Sequence, residues 1–211
     1  WYKARLHPLL FLLTPLSLVF WLVTNLRRSF YALGLMPRYK ADVPVIVVGN
    51  ISVGGTGKTP MVIYVVKMLL EMDKRVVILS RGYKSKGDKG NDENILLGNA
   101  LPGVEIVVDS DRVRGGKLAI EKYHPDIIVM DDGFQHRRLH RDLDITLIDA
   151  RCPFGYGYVI PRGYLREQKK GLRRSDVTVI TRADQVNDET LKSISKSVAQ
   201  LSDNALLLTA M

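Results

Sequence analysis

Eight consecutive residues, Ser52-Val53-Gly54-Gly55-Thr56-Gly57-Lys58-Thr59, have the types and spacing that hold a polyphosphate. Glycines allow the tight turn that aims successive backbone N–H groups at one anion. Lys58 would reach the β- and γ-phosphates, and the Thr59 hydroxyl would coordinate Mg²⁺. The usual pattern has glycine at its first position, where this chain has Ser52. Serine keeps its backbone N–H, so the cradle retains its donors. A second constellation is Asp131-Asp132, two carboxylates closing the apolar run Ile127-Ile128-Val129-Met130. Acidic pairs often end strands, so alone this says little. Downstream of a phosphate loop it reads as the strand that brings an aspartate to Mg²⁺ or its water shell. Together they imply a nucleoside triphosphate site.

The surrounding elements fit that placement. Val45-Ile46-Val47-Val48 is an apolar strand before the loop, and Met61 to Leu70 is a helix-compatible segment after it. The helix adds the positive end of its dipole, and Pro60 falls in its first turn, where a missing N–H costs nothing. Further strands are expected at Arg75 to Ser80, Glu105 to Val108, Ile127 to Asp131, Asp144 to Asp149, Val177 to Ile180 and Ala205 to Thr209. Helices are expected at Asp111 to Tyr123 and Asp188 to Gln200. Ile95 to Leu97 is a short apolar piece. The fold class is α/β, a P-loop NTPase-like, mostly parallel sheet flanked by helices. The basic loop with Lys84, Lys86 and Lys89 follows a strand's carboxyl end, where open α/β sheets bind ligands. The turn-rich stretch Arg151 to Gly171 carries Arg162, Arg166, Lys169 and Lys170, and so long an irregular segment is more often functional than idle.

The chain has 211 residues, 46% hydrophobic and 25% charged, the make-up of an ordinary folded protein. Its formal net charge of +9 favours anionic partners, whether phosphates, acidic lipid headgroups or nucleic acid. One cysteine, Cys152, excludes an internal disulfide, and the four histidines lack metal-type spacing.

No formally charged residue occurs between Pro8 and Asn25, with Lys3 and Arg5 upstream and Arg27, Arg28, Arg38 and Lys40 downstream. The run approaches the ~20 residues of a spanning helix, interrupted by Pro8 and Pro15. A spanning helix, a monotopic helix with Trp21 as interfacial anchor, a signal peptide and a buried core helix all compete. The prolines weaken a spanning helix and fit a monotopic one at least as well, and membrane contact is expected on the cytoplasmic face, where ATP and the basic flanks belong. The domain reading is therefore 1–42 as an apolar helix with a basic flank and 43–211 as a nucleotide-binding kinase domain.

Longer strings carry a more specific signal. Val48-Gly49-Asn50 leading into Val53 to Pro60, then Ser80-Arg81-Gly82-Tyr83, then Asp131-Asp132-Gly133-Phe134-Gln135-His136 resembles the tetraacyldisaccharide 4'-kinases of lipid A biosynthesis. Pro161-Arg162-Gly163-Tyr164-Leu165-Arg166-Glu167 is similar to another segment of that family. The resemblance implies transfer of the γ-phosphate of ATP to the 4'-hydroxyl of a tetraacylated glucosamine disaccharide 1-phosphate, at the cytoplasmic face of a bacterial inner membrane with anionic lipids. It gives Lys58 the phosphates, Thr59 with Asp131 or Asp132 the Mg²⁺, and Arg166 the γ-phosphate charge of the transition state. Asp92 takes the place of the family's hydroxyl-activating aspartate, though the glycine and proline that flank it there are Asn91 and Asn94 here. The family pairs that aspartate with a histidine in a C-terminal lobe. No such segment follows Met211 and the first residue is not methionine, so the expectation is a piece of a longer protein.

Three rivals are weaker. A membrane-associated switch ATPase would carry a signature lysine where Val53 stands. A GTPase would read guanine with Asn-Lys-x-Asp, of which Thr181-Arg182-Ala183-Asp184 keeps only the aspartate. No nucleic-acid partner is expected, because the basic residues come without an aromatic-rich recognition motif.

Overall fold

The structure is a computed structural model that describes residues 8–82, 92–202 and 206–210. Lys3, Arg5 and the basic loop with Lys84, Lys86 and Lys89 lie outside the described residues. Contacts divide the chain into two compact units that interleave along the sequence. One comprises Arg38–Gly49 and Gly57–Asp144, the other Trp1–Pro37, Asn50–Thr56 and Ile145–Met211.

In the first unit, β1 (Val45–Asn50, its last residue apart), β2 (Val76–Ser80), β3 (Glu105–Val108) and β4 (Ile127–Asp131) are ordered β3-β2-β4-β1. Every pairing there is parallel, with Val48 opposite Asp131 and Ser80 opposite Val108. Parallel strands are buried on both faces and read as unbroken apolar runs, as these do. Val45, Val47, Val77, Leu79, Ile128 and Met130 form the core, closed by Val113 and Ala119 of α4 (Arg112–Tyr123). α4 begins one residue after its expected start because Asp111 is the cap, its carboxylate accepting from Val113 N at 3.0 Å and Arg114 N at 3.3 Å. α2 (Lys58–Glu71) buries Val62, Val65, Val66 and Leu69. The apolar piece Ile95 to Leu97 lies inside a helix, α3 (Asp92–Ala100), whose acidic first turn, Asp92 and Glu93, complements the helix dipole.

In the second unit, β5 (Leu143–Asp149, from Ile145 on), β6 (Val177–Thr181) and β7 (Leu206–Thr209) pair in parallel, with Ile145 opposite Val177 and Ile180 opposite Thr209. α5 (Asp188–Ala199) is capped by Asn187, whose side chain accepts from Thr190 N at 2.9 Å, and it buries Ile194 and Val198. The turn-rich stretch folds back on itself. Leu165 N donates to Tyr158 O at 3.1 Å and Ile160 N to Leu165 O at 2.9 Å. The apolar N-terminal run is a 3₁₀ segment, Pro8–Leu13, continued by α1 (Thr14–Ala32). Pro15 sits in the first turn of α1, where it is tolerated.

α1 is not a core helix of the described residues. Only Ser17 and Tyr31 are buried in it, while Leu16, Leu18, Val19, Leu22, Val23 and Leu26 are exposed. From Leu10 to Ala32 it is long and apolar enough, by length and composition, to cross a membrane.

The end of β1 meets the turn after β4 very closely. A Cβ on Gly49 would lie 2.6 Å from Phe134 Cβ and 2.9 Å from its backbone N, and Phe134 is fully buried. Gly49→Ala should therefore cost about 1–3 kcal/mol, the usual range for overpacking. Urea unfolding reads this directly, and an unchanged midpoint would contradict the close approach.

Candidate functional site

The loop between β1 and α2 has the backbone its residues call for. Gly54 has φ +113° and Gly57 φ +86°, a region that side chains with a Cβ rarely adopt. Asn50, fully buried at the end of β1, donates from Nδ2 to Thr56 Oγ1 at 2.7 Å and closes the loop on itself. Thr181 Oγ1, at the end of β6, donates to Thr56 O at 3.0 Å. The loop's first residues are paired as an extended ladder. Val53 N donates to Tyr164 O and Arg166 N to Ile51 O, both at 2.7 Å, around an antiparallel bridge between Ser52 and Leu165. This ladder sets Arg166 beside the start of the loop. Beyond Gly57 the chain enters α2 at once, with Lys58 and Thr59 as its first two residues and Met61 N donating to Gly57 O at 3.2 Å.

In the first unit, Lys58 Nζ lies 3.8 Å from Asp132 Oδ1. The helix that follows the loop and the carboxylates that end β4 therefore meet. Asp131 is buried, and its Oδ1 has no hydrogen-bond partner among the described residues. Asp132 turns the chain through the left-handed region at φ +50°. Gly133 follows so closely on Met130 that a Cβ there would lie 2.8 Å from Met130 Cγ. Arg141 fixes this turn. Its Nη1 donates to the carbonyls of Phe134 and His136 at 3.0 and 3.1 Å, and its Nη2 lies 3.3 Å from Asp144 Oδ2.

Arg112, the first residue of α4, is a buried cation behind Asp131. It donates from Nη2 to Asp131 O at 3.0 Å and from Nη1 to Asp109 O at 2.8 Å. Burial lowers its guanidinium to about 10, with Arg81 adding to the fall and Asp131, Asp132 and Asp109 opposing it. Asp92 opens α3 and is exposed. Its neighbour Glu93 is close enough that its charge acts on Asp131.

Lys58, Asp131 and Asp132 are brought together, and Thr59 follows Lys58 on the same helix turn. Ser52 to Thr56 form the loop that Arg166 borders. Asp92 shares a helix turn with Glu93, which is felt at Asp131. Among the described residues no cluster of three or more His, Cys, Asp or Glu could hold a metal. A Mg²⁺ shared with nucleotide phosphates needs only a hydroxyl and a carboxylate, and the orphaned Asp131 oxygen suits one. Four contributors carried no expected role: Asn50, Arg112, Arg141 and Thr181. Asn50 and Arg112 adjoin recognisable signals, the strand end before a glycine loop and the first residue after a capping aspartate. Nothing in the local sequence marks Arg141 or Thr181.

Burial, then Asp132 and Glu93, hold the Asp131 carboxyl at about 6, well above the ordinary range, against the pull of Lys58 and Arg112. The folded chain thus keeps a proton that the unfolded chain has already lost above about pH 4. Stability should fall as pH rises between about 4 and 6, and the full cost of the ionised carboxylate persists above that. Asp131→Asn should flatten this slope and gain about 1–3 kcal/mol at pH 8, read by urea unfolding with EDTA present. An unaltered slope would show that the proton is held elsewhere.

The family model described as tetraacyldisaccharide-1-P 4'-kinase matches residues 9–209. The tetraacyldisaccharide 4'-kinase of Idiomarina loihiensis is 55% identical over 190 residues, covering 83% of this chain and 57% of that protein. The chain thus spans little more than half the length of that relative. A crystal structure of LpxK from Aquifex aeolicus in complex with ATP matches with a TM-score of 0.77 and 32% identity, over 96% of this chain and 82% of that one. FtsY of Thermotoga maritima, 16% identical with a TM-score of 0.54 over 81% of this chain and 62% of its own, shares the P-loop NTPase fold alone. The chain belongs to the tetraacyldisaccharide 4'-kinase family.

Proposed function

We propose that the protein containing this chain transfers the γ-phosphate of ATP to the 4'-hydroxyl of a tetraacylated glucosamine disaccharide 1-phosphate, a step of lipid A biosynthesis. What carries the reading is the meeting of Lys58 with the β4 carboxylates, 3.8 Å from Asp132 and beside buried Asp131, in a chain of this family. The backbone of the loop Ser52 to Gly57 cradles the phosphates through its N–H groups other than those of Val53 and Thr56, which bond Tyr164 O and Gly54 O, and Lys58 neutralises the β- and γ-oxygens. Thr59 and Asp131 would hold Mg²⁺, which would supply positive charge to the phosphoryl oxygens. Asp132 adds to the acidic pair and orients Lys58. Arg166, set beside the loop by its backbone bond to Ile51, meets the charge that develops on the γ-phosphate.

Asp92 accepts the proton of the acceptor hydroxyl as its oxygen bonds to phosphorus. The bond from the γ-phosphorus to the bridging oxygen breaks, and ADP leaves. In such a site, positioning and charge neutralisation supply most of the catalysis. The apolar helix within 1–42, with Arg27, Arg28, Arg38 and Lys40 after it, seats the kinase domain, 43–211, on the cytoplasmic face of the inner membrane. There an acylated acceptor and anionic lipids are at hand, and nucleic acid plays no part.

Transfer of labelled phosphate from ATP to a tetraacyl disaccharide 1-phosphate by the full-length protein tests this reading. Lys58→Ala should lower kcat at least about a hundredfold, as removal of a single charge-stabilising donor does. Arg166→Ala should lower kcat by a similar factor while changing KM for ATP little. Undiminished turnover in the Lys58 variant would refute the mechanism.

A further inference from the structure

The second unit holds a pocket to which the proposed phosphotransfer assigns no role. It lies between α1 and the 157–170 segment and encloses about 460 Å³, within the range of small-ligand sites. Leu18, Trp21 and Val159 give it apolar walls, and Arg162, Lys169 and Lys170 line it as well. Ser17 ties the two sides together. Its buried hydroxyl donates to Val159 O at 3.0 Å and accepts from Arg162 N at 2.9 Å.

The cations are held without carboxylates. The Arg162 guanidinium carbon lies 3.6 Å from the Tyr158 ring centre and 4.5 Å from that of Phe11. Its Nε is buried with no hydrogen-bond partner. Lys169 Nζ sits 4.5 Å from the Phe154 ring centre. None of the three has an acidic partner among the described residues. Aromatic faces orient a cation without cancelling its charge, so these groups remain available to an anion. Three such cations beside apolar walls fit a ligand with a phosphate at one end and hydrocarbon at the other.

We propose that this pocket is a binding site for an anionic phospholipid of the bilayer, its phosphate on Arg162, Lys169 and Lys170 and the first carbons of a chain against Leu18 and Trp21. The proposal rests on the membrane association proposed above. A bilayer lipid rather than the acceptor is favoured on two grounds. The volume suits a phosphoglycerol head with a short length of chain and is small for a four-chain disaccharide. The same helix also presents Leu16, Val19, Leu22 and Val23 exposed, a surface onto which bilayer chains would extend.

Vesicle co-sedimentation of the full-length protein tests it, using phosphatidylcholine alone and phosphatidylcholine with about one third phosphatidylglycerol. Wild-type partitioning should rise on the order of tenfold with phosphatidylglycerol. Arg162→Gln/Lys169→Gln/Lys170→Gln should lose most of that rise while keeping its binding to phosphatidylcholine. Lys169→Gln/Lys170→Gln, which leaves the Arg162 stack intact, should lose part of it. Lys67→Gln/Lys192→Gln/Lys196→Gln, removing equal charge from the exposed faces of α2 and α5, should keep it.

Wild-type protein that binds both vesicles equally would overturn the site and leave membrane association standing. Protein that binds neither would overturn both. A triple variant that keeps the phosphatidylglycerol rise, or a control that loses as much, would show that the pocket is not the source. A raised KM for the acceptor in phospholipid-free detergent would give the pocket to the acceptor and end the proposal.

Discussion

A carboxylate removed from water at the end of a parallel strand is expensive, and the first unit is arranged around that expense. Asp131 is carried inward by four apolar residues of β4, so its burial follows from the strand that delivers it. Lys58 approaches from the start of α2 and Arg112 from behind, and their attraction falls short of the desolvation cost. The site is left with an acidic group whose surroundings favour an additional positive charge. Perturbed carboxylates of this kind cluster where proteins bind or react. Here the imbalance is what a divalent cation shared with phosphates would relieve.

Within each unit the backbone is held more firmly than its sequence implies. Asn50 bridges to Thr56 across the glycine turn, and Thr181 takes up the Thr56 carbonyl. Arg141 gathers the carbonyls that follow Gly133 into one turn, so the conformation of Asp132 is set by a residue nine positions away. Groups fixed in advance need little reorganisation when charge arrives, which is where electrostatic catalysis gains most. The polar side chains of the site's second tier thus shape the first.

How much of this was legible in the sequence depended on range. Strands buried on both faces announced themselves as short apolar runs, and β1 to β6 fall within a residue or two of where those runs lie. The glycine loop and the acidic pair were readable because their signatures are local. α3 was not, because Leu97 is its only buried residue and so small an apolar face leaves no helical periodicity. Arg112 follows a capping aspartate, but its burial was not legible, since its partners are the carbonyls of Asp109 and Asp131. The apolar run and its basic flanks already favoured an unburied α1 over a core helix, and its exposed Leu and Val side chains agree.

The ladder that joins Ile51 to Val53 with Tyr164 to Arg166 also constrains how this protein can vary. Side chains alternate across extended backbone, so inserting or deleting one residue within the paired run Tyr164 to Arg166 would rotate the arginine to the opposite face. Selection at this segment must therefore act on its length as strictly as on its composition. The polypeptide bordering the helix-lined pocket on one side is the same polypeptide that frames the glycine turn on the other. Drift in loop length, tolerated on most protein surfaces, is closed off here by geometry.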